Sequence, residues 1–199
     1  MKKVLFATEN ESKVKRFKNG LLEKNIEIIS LNNIDTKVEV IENGKNAIEN
    51  AYIKAKTYYD ATKIPTIGMD NNLFIEDLPE EKQPGTYVRR VNGKELNDEE
   101  MIEHYTKLVK ENGGNLKAKW VYGMVVCSDK GTAQFSWTKD HFYFVDKPCE
   151  KINRGYPLDS ISIIPEFNKY LAELTDKEKE EYKKKDNIEE VAKFVVENC

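Results

Sequence analysis

Within its first seventy residues the chain alternates short apolar runs with helical periodicity, and that alternation commits it to a layered α/β sheet. Residues 3–7 (KVLFA) read as a short buried strand. The polar loop TENES follows, then a helix with Val14, Phe17 and Leu21 on one face. Ser12 is placed to cap that helix, which stops at Gly20 or just beyond. Residues 25–31 (NIEIISL) read as a second strand. Residues 46–61 read as a second helix, with Ala47, Ala51, Ala55 and Tyr58 or Tyr59 along one face. Small side chains at that spacing let a helix lie close against a sheet. A strand over 64–69 completes the pattern β-α-β-α-β.

The rest of the chain is marked by its helix ends. Asn97, with Glu100 in capping-box position, opens a helix that Gly113 and Gly114 close, and Met101, Ile102, Tyr105, Leu108 and Val109 form its inner face. Residues 118–127, 132–137 and 140–146 alternate aromatic and β-branched positions, which predicts an antiparallel meander of three strands turning first at Gly131. Thr175 and Glu178 stand in capping register at the head of 175–186, and a last helix over 187–197 turns Ile188, Val191, Ala192 and Val195 inward. There is no internal repeat, low-complexity tract or clear linker. The reading is a single domain over 1–199 with a mixed, elongated sheet.

Charge and residue inventory exclude several classes of function. The 32 basic and 35 acidic groups leave a formal charge of -3, which argues against bulk electrostatic binding to nucleic acid. No apolar run is long enough to span a membrane, and the opening MKKVLFATEN has too short an apolar patch for a signal core. Cys127, Cys149 and Cys199 are odd in number and far apart, with no CxxC, as expected of a reduced cytoplasmic protein without structural zinc. His104 and His141 have no metal-ligand spacing, which also argues against a histidine-based triad.

Open α/β sheets bind ligands beyond the carboxyl ends of their strands. After the first strand, Thr8, Asn10 and Lys13 combine a hydroxyl, an amide and an ammonium at a helix start, a set suited to a polyphosphate. A plain capped turn accounts for them equally well. After the third strand the apolar run stops at Asp70, followed by Asn71 and Asn72, all poor strand formers. That pattern reads as a surface turn or as an acid set to hold a metal. Glu42 precedes the second helix and Lys54 lies on it, sixteen residues before Asp70. A helix antiparallel to the third strand can bring all three to one pocket; separate surface charges are the alternative.

The segments FATENESKVKRFK, IENGKNAIENAYIKAK, IPTIGMDNNLFIEDL and PGTYVRR, with GYPLDSI and YLAELTDKEKEEY further on, resemble in order and spacing the motifs of the inosine triphosphate pyrophosphatase family. The resemblance covers roughly residues 3 to 186. It implies an elongated α/β fold, a mixed sheet flanked by helices, with two lobes and a central nucleotide cleft. It implies hydrolysis of deaminated purine nucleoside triphosphates to the monophosphate and pyrophosphate, with Mg²⁺, usually by a homodimer. By the same resemblance Thr8, Asn10, Lys13 and Lys54 contact phosphate, Glu42 and Asp70 hold the metal, and Asp70 and Lys54 carry the catalysis. At the base end it points to Tyr156, Leu158, Asp159, Lys179, Lys183, Lys184 and Lys185.

The departures from the family pattern are concentrated. The paired acids become Met69-Asp70, the following Ser-Gly becomes Asn71-Asn72, the second aromatic of the base pocket becomes Leu158, and a Ser-His-Arg base reader aligns with Lys183-Lys184-Lys185. Two readings stay open beside a deaminated-purine enzyme. One is a catalytically silent nucleotide-binding protein, favoured by Met69. The other is a pyrophosphatase acting on a standard or modified nucleotide, favoured by the altered base end.

Overall fold

The computed structural model describes residues 1–183 and 187–199. Strand β1 (Lys2–Phe6) leads into helix α1 (Glu11–Leu22) and strand β2 (Ile26–Ser30); helix α2 (Ala47–Thr62) then leads into strand β3 (Thr66–Ile75). β1 pairs in parallel with β2, Val4 opposite Ile28, and in parallel with β3, Leu5 opposite Thr66. A short hairpin of β4 (Arg90–Val91) and β5 (Lys94–Glu95) precedes α3 (Asp98–Glu111). The long strands β6 (Asn115–Ser128) and β7 (Gly131–Val145), short β8 (Ser162–Ile164) and β9 (Lys169–Tyr170), and helices α4 (Asp176–Lys183) and α5 (Ile188–Asn198) complete the chain. The main sheet runs β2-β1-β3-β6-β7-β8-β9, parallel at one end and antiparallel at the other, where β7, β8 and β9 pair. It is the mixed sheet flanked by helices that the alternation predicts. No helix among the described residues is long and apolar enough to cross a membrane.

Two compact units divide the chain. One comprises Met1–Asn71, Val121–Trp137 and Asn187–Cys199, the other Asn72–Trp120 and Thr138–Asp186, so the boundaries fall inside β3, β6 and β7. In the first unit α2 lies directly on two strands. An added Cβ at Gly68 of β3 would stand 1.9 Å from the Ala51 carbonyl oxygen, and one at Gly123 of β6 would stand 2.7 Å from the Ala47 carbonyl carbon. The helix face that makes this approach is Ala47, Ala51 and Ala55, as the small-residue spacing predicts, and it also carries Asn50, Lys54 and Tyr58. In the second unit the core gathers Tyr105 of α3, Phe142 and Phe144 of β7, Ile161, Leu174 and Tyr182 of α4. The Tyr105 hydroxyl donates to the Val88 carbonyl at 2.9 Å, which ties the PGTYVRR loop to α3.

Three local expectations are corrected. Asn10, not Ser12, caps α1, its Oδ1 accepting from the Ser12 and Lys13 amides. α1 itself ends at Leu22, just beyond Gly20 as expected, and the missing side chain of Gly20 admits Ile188 of α5, whose Cγ2 lies 3.1 Å from where a Cβ would stand. The expected strands 132–137 and 140–146 are one strand, β7, because Thr138 and Lys139 between them supply no turn chemistry. β3 does not stop at Asp70 but continues to Ile75. The extension is held from outside: Leu73 and Gly85 exchange backbone bonds at 2.9 and 3.0 Å, and the Gln83 amide closes on both Ile75 N and Ile75 O. A ladder that satisfies the backbone outweighs the weak strand preference of Asp and Asn.

Candidate active site

The first unit brings Lys13, Glu42, Lys54 and Asp70 together. Lys13 comes from the first turn of α1, Lys54 from the middle of α2, Glu42 from the loop before α2 and Asp70 from β3. Lys54 Nζ donates to Glu42 Oε2 at 2.6 Å and lies 3.6 Å from Asp70 Oδ1, so a single ammonium touches both acids. Lys13 Nζ lies 3.9 Å from the same Asp70 oxygen. Burial and the neighbouring Lys54 charge lower the Lys13 pKa to about 8, against smaller opposing pulls from Asp70 and Glu42. Two ammoniums crowded this way gain when an anion arrives between them.

Thr8 and Asn10 stand at the head of α1 in the same unit. The Asn10 amide donates to Thr8 Oγ1 at 3.2 Å, while Asn10 Oδ1 caps the helix at 2.9 Å to Ser12 N and 3.3 Å to Lys13 N. Both oxygens thus serve as acceptors inside the loop, which leaves the Thr8 hydroxyl hydrogen and the Asn10 Nδ2 hydrogens as the donors those side chains can turn toward a ligand.

Asn50 belongs to this cluster and was not singled out from the sequence. Its Nδ2 donates to Asp70 Oδ2 at 2.9 Å, and its Oδ1 accepts from Gly44 N at 2.8 Å. The signal available in the sequence was an asparagine on the alanine face of α2, one turn before Lys54, where an apolar residue is the ordinary occupant. Met69 sits one residue before Asp70 and is 1% exposed. Side chains alternate across a strand, so position 69 faces away from the Lys54 side of β3. The acid missing there is not missing from the cluster.

Among the described residues no group of three or more His, Cys, Asp or Glu side chains could by itself hold a metal ion. The donors of the cluster nevertheless suit Mg²⁺. Two hard carboxylate oxygens already converge on one cation, and Mg²⁺ is commonly held by one or two carboxylates, with waters and substrate phosphates filling the remaining positions.

The second unit carries the residues expected at the base end. Asp159 lies in the short 3-10 turn Pro157–Ser160 and accepts from Asn153 Nδ2 at 2.9 Å. Tyr156, just before that turn, is 39% exposed. Leu158 departs from the expectation of a base-pocket wall: it is 6% exposed and packs in the core of the unit. Lys183 is paired with Glu180 at 2.6 Å on an exposed helix surface, while Lys184 and Lys185 lie outside the described residues. Lys179 and Lys139 both bear electrostatically on Asp159, and Lys139 Nζ stands 3.9 Å from the centre of the Tyr182 ring. Lys139 and Asn153 escaped sequence reading because β7 and the Asn153 turn meet Asp159 only in the folded unit.

Burial raises the Asp159 pKa to about 6, with the Asn153 hydrogen bond and the charges of Lys139 and Lys179 pulling the other way. Between about pH 4 and 6 the folded chain therefore keeps a proton that the unfolded chain has released, so stability falls as pH rises through that window. Asp159→Asn is expected to raise stability at pH 7.5 by about 2 kcal/mol and to flatten that part of the profile. Thermal unfolding of both proteins from pH 4 to 8 checks this. An unchanged slope in the variant would remove Asp159 as its source.

The chain matches the Ham1 family over residues 4–188. It is 31% identical to the dITP/XTP pyrophosphatase of Aquifex aeolicus, over 99% of this chain and 98% of that protein. The fold is that of solved Ham1 proteins. The Staphylococcus aureus structure superposes with a TM-score of 0.77 at 24% identity, covering 100% of each chain. The Coxiella burnetii structure gives 0.76 at 22% identity, covering 99% of this chain and 100% of that one.

Proposed function

This chain belongs to the Ham1 family, and on that premise we propose that it hydrolyses deaminated purine nucleoside triphosphates to the monophosphate and pyrophosphate, with Mg²⁺ held by Glu42 and Asp70. The substrate class comes from relatives named dITP/XTP pyrophosphatase. The observation that carries the reading for this chain is the convergence of two carboxylates and two lysines at one point of the first unit.

The reaction adds water at the α-phosphorus and breaks its bond to the bridging oxygen, so that pyrophosphate leaves. Lys13 and Lys54 hold phosphate oxygens as point charges, and Thr8 and Asn10 add neutral donors at the head of α1. Binding of the triphosphate draws Lys54 from the carboxylates and restores the full charge of Lys13. Asp70, with one oxygen held by Asn50, presents the other to orient the attacking water and take its proton. Mg²⁺ supplies neutralisation of charge on the phosphate oxygens. Tyr156, Asp159 and Lys179 serve the base, Asp159 as an acceptor for its N–H groups.

The same reading makes the protein a homodimer working in the cytoplasm, where its three cysteines, all free, remain thiols. Its ligand is a nucleotide, not a nucleic acid.

Inosine, xanthosine, guanosine and adenosine triphosphates at one Mg²⁺ concentration, scored for pyrophosphate and orthophosphate, test the proposal. Pyrophosphate alone is expected, with a preference for the deaminated bases below about 10³-fold in kcat/KM, because lysine lacks the planar fork of arginine. Preference for a standard base would transfer the assignment to that nucleotide. No turnover with Mg²⁺ or Mn²⁺ would leave a nucleotide-binding protein without catalysis.

A further inference from the structure

We infer that Asn50 is the positioning residue of this site, holding the Asp70 carboxylate and the Glu42 loop in one orientation; the inference rests on the metal-dependent hydrolysis proposed above. Asn50 is 4% exposed, and both halves of its amide are used. Nδ2 donates to Asp70 Oδ2 at 2.9 Å, twenty residues along the chain, and Oδ1 accepts from Gly44 N at 2.8 Å, six residues back. The two partners permit only one orientation of the amide, since a carboxylate cannot donate and a backbone N–H cannot accept.

Asp70 is thereby divided into two unlike oxygens. Oδ2 is committed to Asn50, and Oδ1 is the one that faces Lys54 at 3.6 Å and Lys13 at 3.9 Å. Rotation of the carboxylate would exchange them, and the Asn50 hydrogen bond opposes that rotation. At its other end the same amide holds Gly44, two residues after Glu42, so one side chain sets both acid-bearing segments. The fit is close: a Cβ on Gly44 would stand 2.7 Å from Asn50 Oδ1 and 2.8 Å from Asn50 N. Asn50 acts through Asp70 and Glu42 and has no assigned contact with substrate. Groups that orient metal-binding carboxylates in this way commonly change metal affinity or activity by tenfold or more when removed.

Asn50→Leu and the smaller Asn50→Ala lose both hydrogen bonds without adding a charge beside Asp70. Wild type and variants are compared at pH 8 for kcat, KM for the triphosphate, unfolding temperature, and Mn²⁺ affinity of the protein alone by calorimetric titration. Asn50→Leu is expected to lower kcat about tenfold or more with KM changed less than about threefold, because Lys13 and Lys54 are untouched. Asn50→Leu is expected to weaken Mn²⁺ binding about tenfold. Wild-type kcat in a folded Asn50→Leu would assign Asn50 to packing alone and overturn the inference while leaving the hydrolase reading intact. If wild type turns over no triphosphate, that reading fails separately, and the Mn²⁺ titration decides the inference: unchanged affinity in Asn50→Leu overturns it. Should Asn50→Leu not fold, equal Mn²⁺ affinity in Asn50→Ala has the same consequence.

Discussion

Asp70→Asn is expected to lower turnover by a factor on the order of 10² or more, about 2.7 kcal/mol of transition-state stabilisation, while the protein stays folded. The amide is nearly the same size as the carboxylate, and its oxygen can still accept from Asn50 Nδ2, so the packing of β3 against α2 has no reason to change. What disappears is a negative charge in contact with Lys54 and Lys13, and with it a metal ligand and a proton acceptor for the attacking water. Glu42 keeps its 2.6 Å bond to Lys54, so the remaining cluster has one acid and two cations. A triphosphate should therefore still bind, and the loss should appear in kcat with a raised Mg²⁺ requirement. Steady-state kinetics across a Mg²⁺ series, with calorimetry to verify the fold, measures both. Full activity with ordinary metal dependence would reduce Asp70 to a residue of the strand.

Gly68→Ala should cost about 3 kcal/mol or more of stability and lower the unfolding temperature by roughly 10 °C. The new methyl would stand 1.9 Å from the Ala51 carbonyl oxygen and 2.8 Å from the Ala55 amide nitrogen. Both are backbone atoms in the middle of a helix, so no side-chain rotation relieves the clash and α2 must lift from the sheet. Lifting α2 also moves Asn50 and Lys54 away from Asp70, so activity per folded molecule falls together with stability. The pairing distinguishes this variant from Asp70→Asn, in which activity falls alone. An unchanged unfolding temperature would mean that the helix is not seated on β3 as closely as described.

Helix caps and hydrophobic period were readable before any fold, because neighbouring residues settle them among themselves. Asn97 and Glu100 form the expected capping box, and Thr175 and Glu178 exchange the bonds that open α4. Val191, Ala192 and Val195 are buried along α5 as their spacing requires. The order of strands and helices in the first seventy residues followed from hydrophobic period, because caps and periodicity act within one or two turns of chain. The approach of Glu42, Lys54 and Asp70 was legible only with the family resemblance beside the pattern, since the residues alone also allowed separate surface charges.

The rest depended on partners far apart in the chain. Asp70, Asn71 and Asn72 look like a turn by composition, yet they are strand because Gly85 and Gln83 satisfy the backbone beyond them. Met69 looks like a lost ligand, yet it is core, because the strand alternation continues through it. Leu158 looks like a weakened base pocket, yet it packs among side chains of the second unit. The role of Asn50 depends on partners six and twenty residues away, a distance over which local pattern carries no information. Pairing across such separations is settled by which backbone and buried polar groups find partners in the folded chain, a condition that only the assembled sheet and helices can impose.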